Sequence, residues 1–357
     1  MRVGSVIGSL ALAVALQNGA VRAQDCGPLQ LITSVTMIPH DARFLVPVTI
    51  NNNPAKMMVD TGGGISSINS GATEMLGLHP IDGARIQLLD GVGNVSKKYV
   101  GLDQFAIGSL RTDRIQLMVA PGSGDSGDIA GVLAGDIMSL YDVELDFAAA
   151  KFNLFPQKHC PGKVIYWPHS GVAQVPFTLQ QPTGNNSRTG YTTYVDRGAH
   201  IWVPVMLDGK PFHAMIDTGS SRSTISANTA KFVLDVSQDS PGSTPLGSVD
   251  GDPRHVAFSH TFSTLTFDGV TVTNPHFVVV PDLIGNKDPN NTSRTDTRTR
   301  RIDDYISVDL TVGMEVLRKL HLYAAFGERN LYITPASAPA SASAAPTPAQ
   351  GLALPAQ

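Results

Sequence analysis

Apolar and polar positions alternate in short runs along most of this chain, and the runs stop at turns rich in glycine, asparagine and proline. Residues 44–50 read as a strand, Asn51-Asn52-Asn53-Pro54 as a turn, and residues 56–59 as a second strand that delivers Asp60 at its end. Residues 70–76 suit a short helix stopped by Gly77. Between Ile86 and Tyr99, two apolar segments flank Asp90, Gly91, Val92, Gly93 and Asn94, a hairpin signature with a glycine-rich tip. Residues 102–107 and 115–119 add strands, 129–133 a short buried strand, 136–141 a helical turn and 143–155 a closing hairpin.

The same order then recurs. Asp60-Thr61-Gly62 returns as Asp217-Thr218-Gly219, and a shift of 157 positions (217 minus 60) lays one copy on the other without a gap. Val46-Pro47-Val48 falls on Val203-Pro204-Val205, Pro54 on Pro211, Ser66 on Ser223 and Ile68 on Ile225. Residues 202–207 and 212–216 read as strands, 228–234 as the short helix and 246–252 as the turn-rich tip of a second hairpin, with further strands over 260–267 and 270–280. Leu133-Ala134-Gly135-Asp136 corresponds to Val312-Gly313-Met314-Glu315. The second half is longer, and most of the excess fits between Leu283 and Tyr305, a polar stretch without periodicity. Repeated short strands with glycine turns and few helices predict an all-β protein of two barrel-like halves.

Composition narrows the setting. A formal charge of −4, with no extended Lys/Arg cluster, gives nucleic-acid binding little support. The Arg-rich stretch 294–301 is broken by Asp296 and reads as a solvated loop. At the N-terminus Arg2 precedes an apolar stretch from Val3 to Leu16 and then small residues to Ala23, the order of a signal peptide. That run is short for a membrane span, and no other stretch is long enough, so a soluble, exported protein is expected, periplasmic or secreted. Cys26 and Cys160, the two cysteines of the chain, invite a disulfide in such a protein, two unpaired thiols being the other reading. The isolated cysteines and scattered histidines resemble no metal site, and no cofactor is implied. From Pro335 the chain is rich in Pro, Ala and Ser and is expected to be disordered.

One Asp-Thr-Gly is an ordinary turn. Two matched copies, each closing an apolar strand, point to one carboxylate from each half meeting across a pseudo-twofold axis. Two acids a few ångströms apart share one proton, because both cannot ionise comfortably. In that state a water between them has a base on one side and an acid on the other, and it can attack a peptide carbonyl. Thr61 and Thr218 would bridge the two loops beneath the pair.

These features resemble the retropepsin-like aspartyl proteases: apolar strand, Asp-Thr-Gly, Ser/Thr-Ile, glycine-rich hairpin, then an apolar-Gly segment such as Val312-Gly313-Met314-Glu315. Retropepsins build the dyad from two identical chains, whereas this chain carries both halves and is similar to pepsins in plan. The likeness covers about residues 44–155 and 202–333 and implies two retropepsin-like lobes, 24–160 and 172–334, joined by 161–171; the patterns at the two ends add a signal peptide over 1–23 and a tail over 335–357. The resemblance implies Asp60 and Asp217 as the catalytic pair, with Thr61, Gly62, Thr218, Gly219 and Ser220 supporting them. Asp90, Gly91, Val92 and Gly93, and Gly247, Ser248 and Gly251, would be flaps over a peptide or protein substrate. The expected product is a monomeric aspartic endopeptidase; the alternative is a catalytically silent peptide-binding protein using the same cleft. Gly63, where the family carries Ser, Thr or Ala, and Ala134, where glycine is expected, depart from the pattern.

Overall fold

The computed structural model describes residues 26–83, 88–89, 95–121, 128–179, 199–248, 255–281 and 310–336. The apolar N-terminal segment, the 283–305 insertion and the tail beyond Ala336 lie outside them.

The strand Arg43–Ile50 turns inward Leu45, Val46, Val48 and Ile50, all nearly or fully buried, and reverses at Asn51 and Asn52. Both asparagines have positive φ, a conformation their short polar side chains tolerate. The chain returns as Asn53–Asp60, paired antiparallel with the first strand. Gly131–Ala134 lies parallel to it and sets Ala134 opposite Asp60. Ser67–Ile68, Leu110–Val119 and Lys98–Ile107 continue the sheet, and Lys98–Ile107 pairs back onto Arg43–Ile50 at Thr49 and Ala106. Six strands thereby close into a barrel.

The second half repeats these ladders. Lys210–Ile216 runs parallel to Leu310–Val312, which pairs antiparallel with Ser223–Ser226, itself parallel to His276–Val280. The segments 260–267 and 270–280 each divide in two: Val256–Thr261 with Thr264–Phe267, and Val270–Thr273 with His276–Val280. Pro275 has no N–H to offer the ladder there. The Phe262 N–H donates to the Pro275 carbonyl and the Asn274 N–H to the Ser263 carbonyl, at 3.0 and 2.9 Å, so the hairpin bends without coming apart. Met206 pairs with Thr266 where, one repeat earlier, Thr49 pairs with Ala106.

One correction concerns the tip of the second hairpin. Leu246, Gly247 and Ser248 belong to the strand Ser243–Ser248, which pairs with Val256–Thr261 through an irregularity at Gly247. Gly247 and Ser248 are thus in the leg of the hairpin, and Gly251 lies outside the described residues. In the first half Leu88–Leu89 pairs with Val95–Ser96, while Asp90, Gly91, Val92 and Gly93 lie outside the described residues.

A third sheet joins the halves. Its order is Thr33–Thr36, Lys151–Phe155, Asp142–Asp146, Leu320–Ala325, Asn330–Pro335, Ala173–Pro176, with Val143 opposite Ala324 at the junction. Period-two alternation gives it two unlike faces. Val143, Leu145, Leu322 and Ala324 join the main core, whereas Phe155, Tyr323, Ala325 and Tyr332 form a second cluster with Leu31 and Val164. Cys26 and Cys160 form a disulfide beside that second face, with Cα atoms 4.7 Å apart.

Candidate active site

Each acid stands where its strand runs out. Asp60 is the last residue of Asn53–Asp60, and Asp217 follows Lys210–Ile216 directly. The glycines that follow have a steric reason to be glycine. A Cβ on Gly62 would fall 2.3 Å from the Asp217 carboxyl carbon, and one on Gly219 would fall 2.5 Å from that of Asp60. Each loop therefore leaves the space in which the opposite carboxylate sits.

The threonines lock the loops together reciprocally. Thr61 Oγ1 donates to the Ile216 carbonyl at 2.6 Å and accepts the Thr218 N–H at 3.1 Å. Thr218 Oγ1 donates to the Val59 carbonyl at 2.8 Å and accepts the Thr61 N–H at 3.0 Å. Both threonines are buried, so four hydrogen bonds shielded from water fix the separation of the strand ends.

The acids are then distinguished by their donors. Asp217 Oδ1 accepts the N–H groups of Gly219 and Ser220 at 2.8 and 3.1 Å, whereas Asp60 Oδ1 accepts that of Gly62 at 2.9 Å. Burial raises the Asp60 carboxyl well above the usual carboxylate range, the Asp217 charge and a side-chain hydrogen bond to Asp217 raise it further, and the N–H groups of Gly62 and Gly63 oppose the rise. Burial raises Asp217 as well, but the bond from Asp60, the N–H groups of Gly219 and Ser220, and the nearby His200 oppose the rise. Both carboxyls are thus raised, and the pair holds one proton between them.

A lower tier holds both loops. Ser66 and Ser223, matched by the repeat, accept the N–H groups of Ala134 and Gly313 at 2.9 and 3.1 Å. Gly135 N–H reaches the Gly63 carbonyl and Met314 N–H the Ser220 carbonyl, at 3.0 and 2.9 Å. Asp136 Oδ1 accepts both the N–H and the hydroxyl of Ser66. The roles of Ser66, Ser223 and Asp136 were not drawn from the sequence, although the repeat had already aligned the two serines.

Gly63 and Ala134 fit each other. A Cβ on Gly63 would meet the Ala134 methyl at 3.1 Å. In the other half Ser220 occupies the loop, its hydroxyl bonded to the Arg222 carbonyl at 2.7 Å, and Gly313 lies beneath. There a Cβ on Gly313 would come 2.2 Å from the Arg222 carbonyl oxygen.

The sequence model of a family described as aspartyl protease matches residues 46–137 and 203–321, more than half of the chain. No curated protein matches the chain. Among solved structures it is similar to an aspartic proteinase from Irpex lacteus, 12% identical, with a TM-score of 0.46 over 85% of this chain and 97% of that one. It is also similar to a retropepsin-like aspartic protease from Rickettsia conorii, 18% identical, with a TM-score of 0.28 over 36% of this chain and 96% of that one.

Proposed function

The chain belongs to the aspartyl protease family, and from that premise we propose that it is an aspartic endopeptidase whose Asp60 and Asp217 activate one water between them. The observation that carries the proposal is the half-buried, unequal pair of carboxyls held by the reciprocal Thr61–Thr218 bonds. Asp217, ionised and steadied by two backbone N–H groups, takes a proton from the water as it attacks the scissile carbonyl. Asp60, protonated, donates to the carbonyl oxygen as it becomes an alkoxide. The proton gained by Asp217 then passes to the leaving amine as the C–N bond breaks, and a hydroxyl of the tetrahedral intermediate returns its proton to Asp60 as the carbonyl re-forms, so the pair is back in its starting state when the products exchange for water. Nothing in the dyad geometry favours the silent peptide-binding alternative.

Asp60→Asn and Asp217→Asn are each expected to abolish cleavage of a peptide library while the far-ultraviolet circular dichroism stays that of the parent. The parent's kcat/KM should be bell-shaped in pH, because full protonation and full ionisation both remove the shared-proton state. Cleavage by Asp217→Asn at the parental rate would refute the mechanism. We further propose that the protein acts as a monomer outside the cytoplasm. The N-terminal apolar segment and the Cys26–Cys160 disulfide support export, and the presence of both acids in one chain supports the monomer.

A further inference from the structure

Beside the second active-site loop lies a cavity of about 680 Å³ walled by both halves of the chain. Four cations line it, Arg43, Arg222, Arg318 and Lys319, against two carboxylates, Asp41 and Glu315. The cations are poorly neutralised. Asp41 is divided between Arg43, at 3.9 Å, and His40, at 3.7 Å. Arg43 Nε is buried without a hydrogen-bond partner, and Arg318 Nε is taken by the Met314 carbonyl, which leaves its two terminal nitrogens. Among the described residues, Arg222 and Lys319 have no acid within ion-pair distance.

The cavity is not a by-product of the repeated fold, because its counterpart is shut. The shift that carries Asp60 to Asp217 carries Ala42, on the cavity wall, to Ala199. Ala199 packs onto Gly135 so closely that a Cβ there would come within 2.6 Å of the alanine methyl. Asp136, the counterpart of Glu315, is held by the Ser66 N–H and hydroxyl at 2.8 and 2.6 Å. One of two related places is closed and satisfied; the other is open and carries excess positive charge.

We infer that this cavity is an anionic subsite of the proposed peptidase, on whose activity the inference rests, and that it takes the carboxylate of an Asp or Glu side chain in the bound peptide. Guanidinium forks suit a carboxylate in two-point contact, and Arg222 and Arg318 both have nitrogens to offer. Ser221 on the cavity wall follows Asp217 by four residues, so that wall lies within about 14 Å of the dyad. An extended peptide advances about 3.3 Å per residue, which puts the acidic residue within about four positions of the scissile bond.

The test uses peptides cleaved by the full chain, each paired with a twin in which Gln replaces Glu at one position within about four residues of the cut. One position should favour Glu by about tenfold in kcat/KM, the range of a hydrogen bond to a charged group, and the preference should shrink at high salt. The double variant Arg222→Glu/Lys319→Glu, at two exposed positions, should lose that preference and favour Lys at the same position. No discriminating position, or a preference that survives the charge reversal, overturns the subsite. If no peptide is cleaved at any pH, the peptidase reading fails separately, and fluorescence anisotropy of the same labelled peptides decides the subsite. Tighter binding of the Glu peptide, abolished in the double variant, upholds it; equal binding of Glu and Gln peptides rejects it.

Discussion

A Cβ on Gly63 would stand 3.1 Å from the Ala134 methyl and 3.0 Å from Asp60 Oδ2. The absence of a side chain at one position and its presence at the other are thus a single packing solution, opposite to the Ser220–Gly313 pair of the second half. Gly63→Ser alone should cost about 1–3 kcal/mol through overpacking and lower kcat/KM by pressing on Asp60. Adding Ala134→Gly should recover much of both losses, giving a coupling of about 1 kcal/mol or more in urea unfolding. Strict additivity would show that the two sites are independent. The dyad makes a second prediction at this scale. A carboxyl raised by folding contributes stability that is fully present below its unfolded pKa, about 3.9, and is lost as pH rises through its folded value. Asp60 is such a group, so Asp60→Asn, which cannot ionise, should melt above the parent at pH 7 and level with it below about pH 4. A parent that is the more stable protein at neutral pH would contradict the raised carboxyl.

Among the elements, what could be read depended on whether the signal was local. Strands such as Arg43–Ile50 and Ile201–Leu207 announce themselves by alternation, and the gapless repeat located both acids and both threonines before any geometry was known. The bend in the second hairpin was less legible, because one proline against two long apolar runs does not say whether the ladder ends or turns. The hairpin over 143–155 was legible, but its joining to the other half in one sheet was not. The central contact of that sheet, Val143 with Ala324, links residues far apart in the chain, and no local pattern specifies it. Asp142-Val143-Glu144-Leu145-Asp146 looks like a strand with one face in water, yet Asp142 is fully buried and Glu144 is 3% exposed. Their covering groups are His159 from the end of the first half, Tyr166 and Trp167 from the connector, and His321 from the other half. His200 escaped notice for a related reason: its influence on Asp217 arises from tertiary placement, and its counterpart under the repeat is Arg43.

For the whole molecule, those buried groups bear on how the two halves stay together, and the dyad exists only while they do. His159 Nε2 bonds to Asp142 Oδ2, and its Nδ1 lies 3.5 Å from Glu328 Oε1 in the second half. The Gly327 N–H donates to Asp142 Oδ1 at 3.3 Å, and Tyr332 donates to Glu328 at 2.5 Å. Nearby, His321 of the second half bonds to Glu144 of the first at 2.8 Å, beneath the stacked ring of Trp167. Burial raises the Asp142 carboxyl, and the bond from His159 is the largest influence opposing that rise. Removing His159 therefore leaves an uncompensated buried carboxylate at neutral pH, a loss of about 3–5 kcal/mol. A raised carboxyl gives its stability below the unfolded pKa and loses it as pH rises, so the penalty should be greatest at pH 7 and small below about pH 4, where Asp142 is protonated in both states. Urea unfolding of the parent and His159→Ala at those two pH values checks this, with intrinsic fluorescence reporting Trp167 on the joining sheet. Equal destabilisation at both pH values would assign His159 to packing alone, and would leave the coupling of the two halves to the strand pairing and the disulfide.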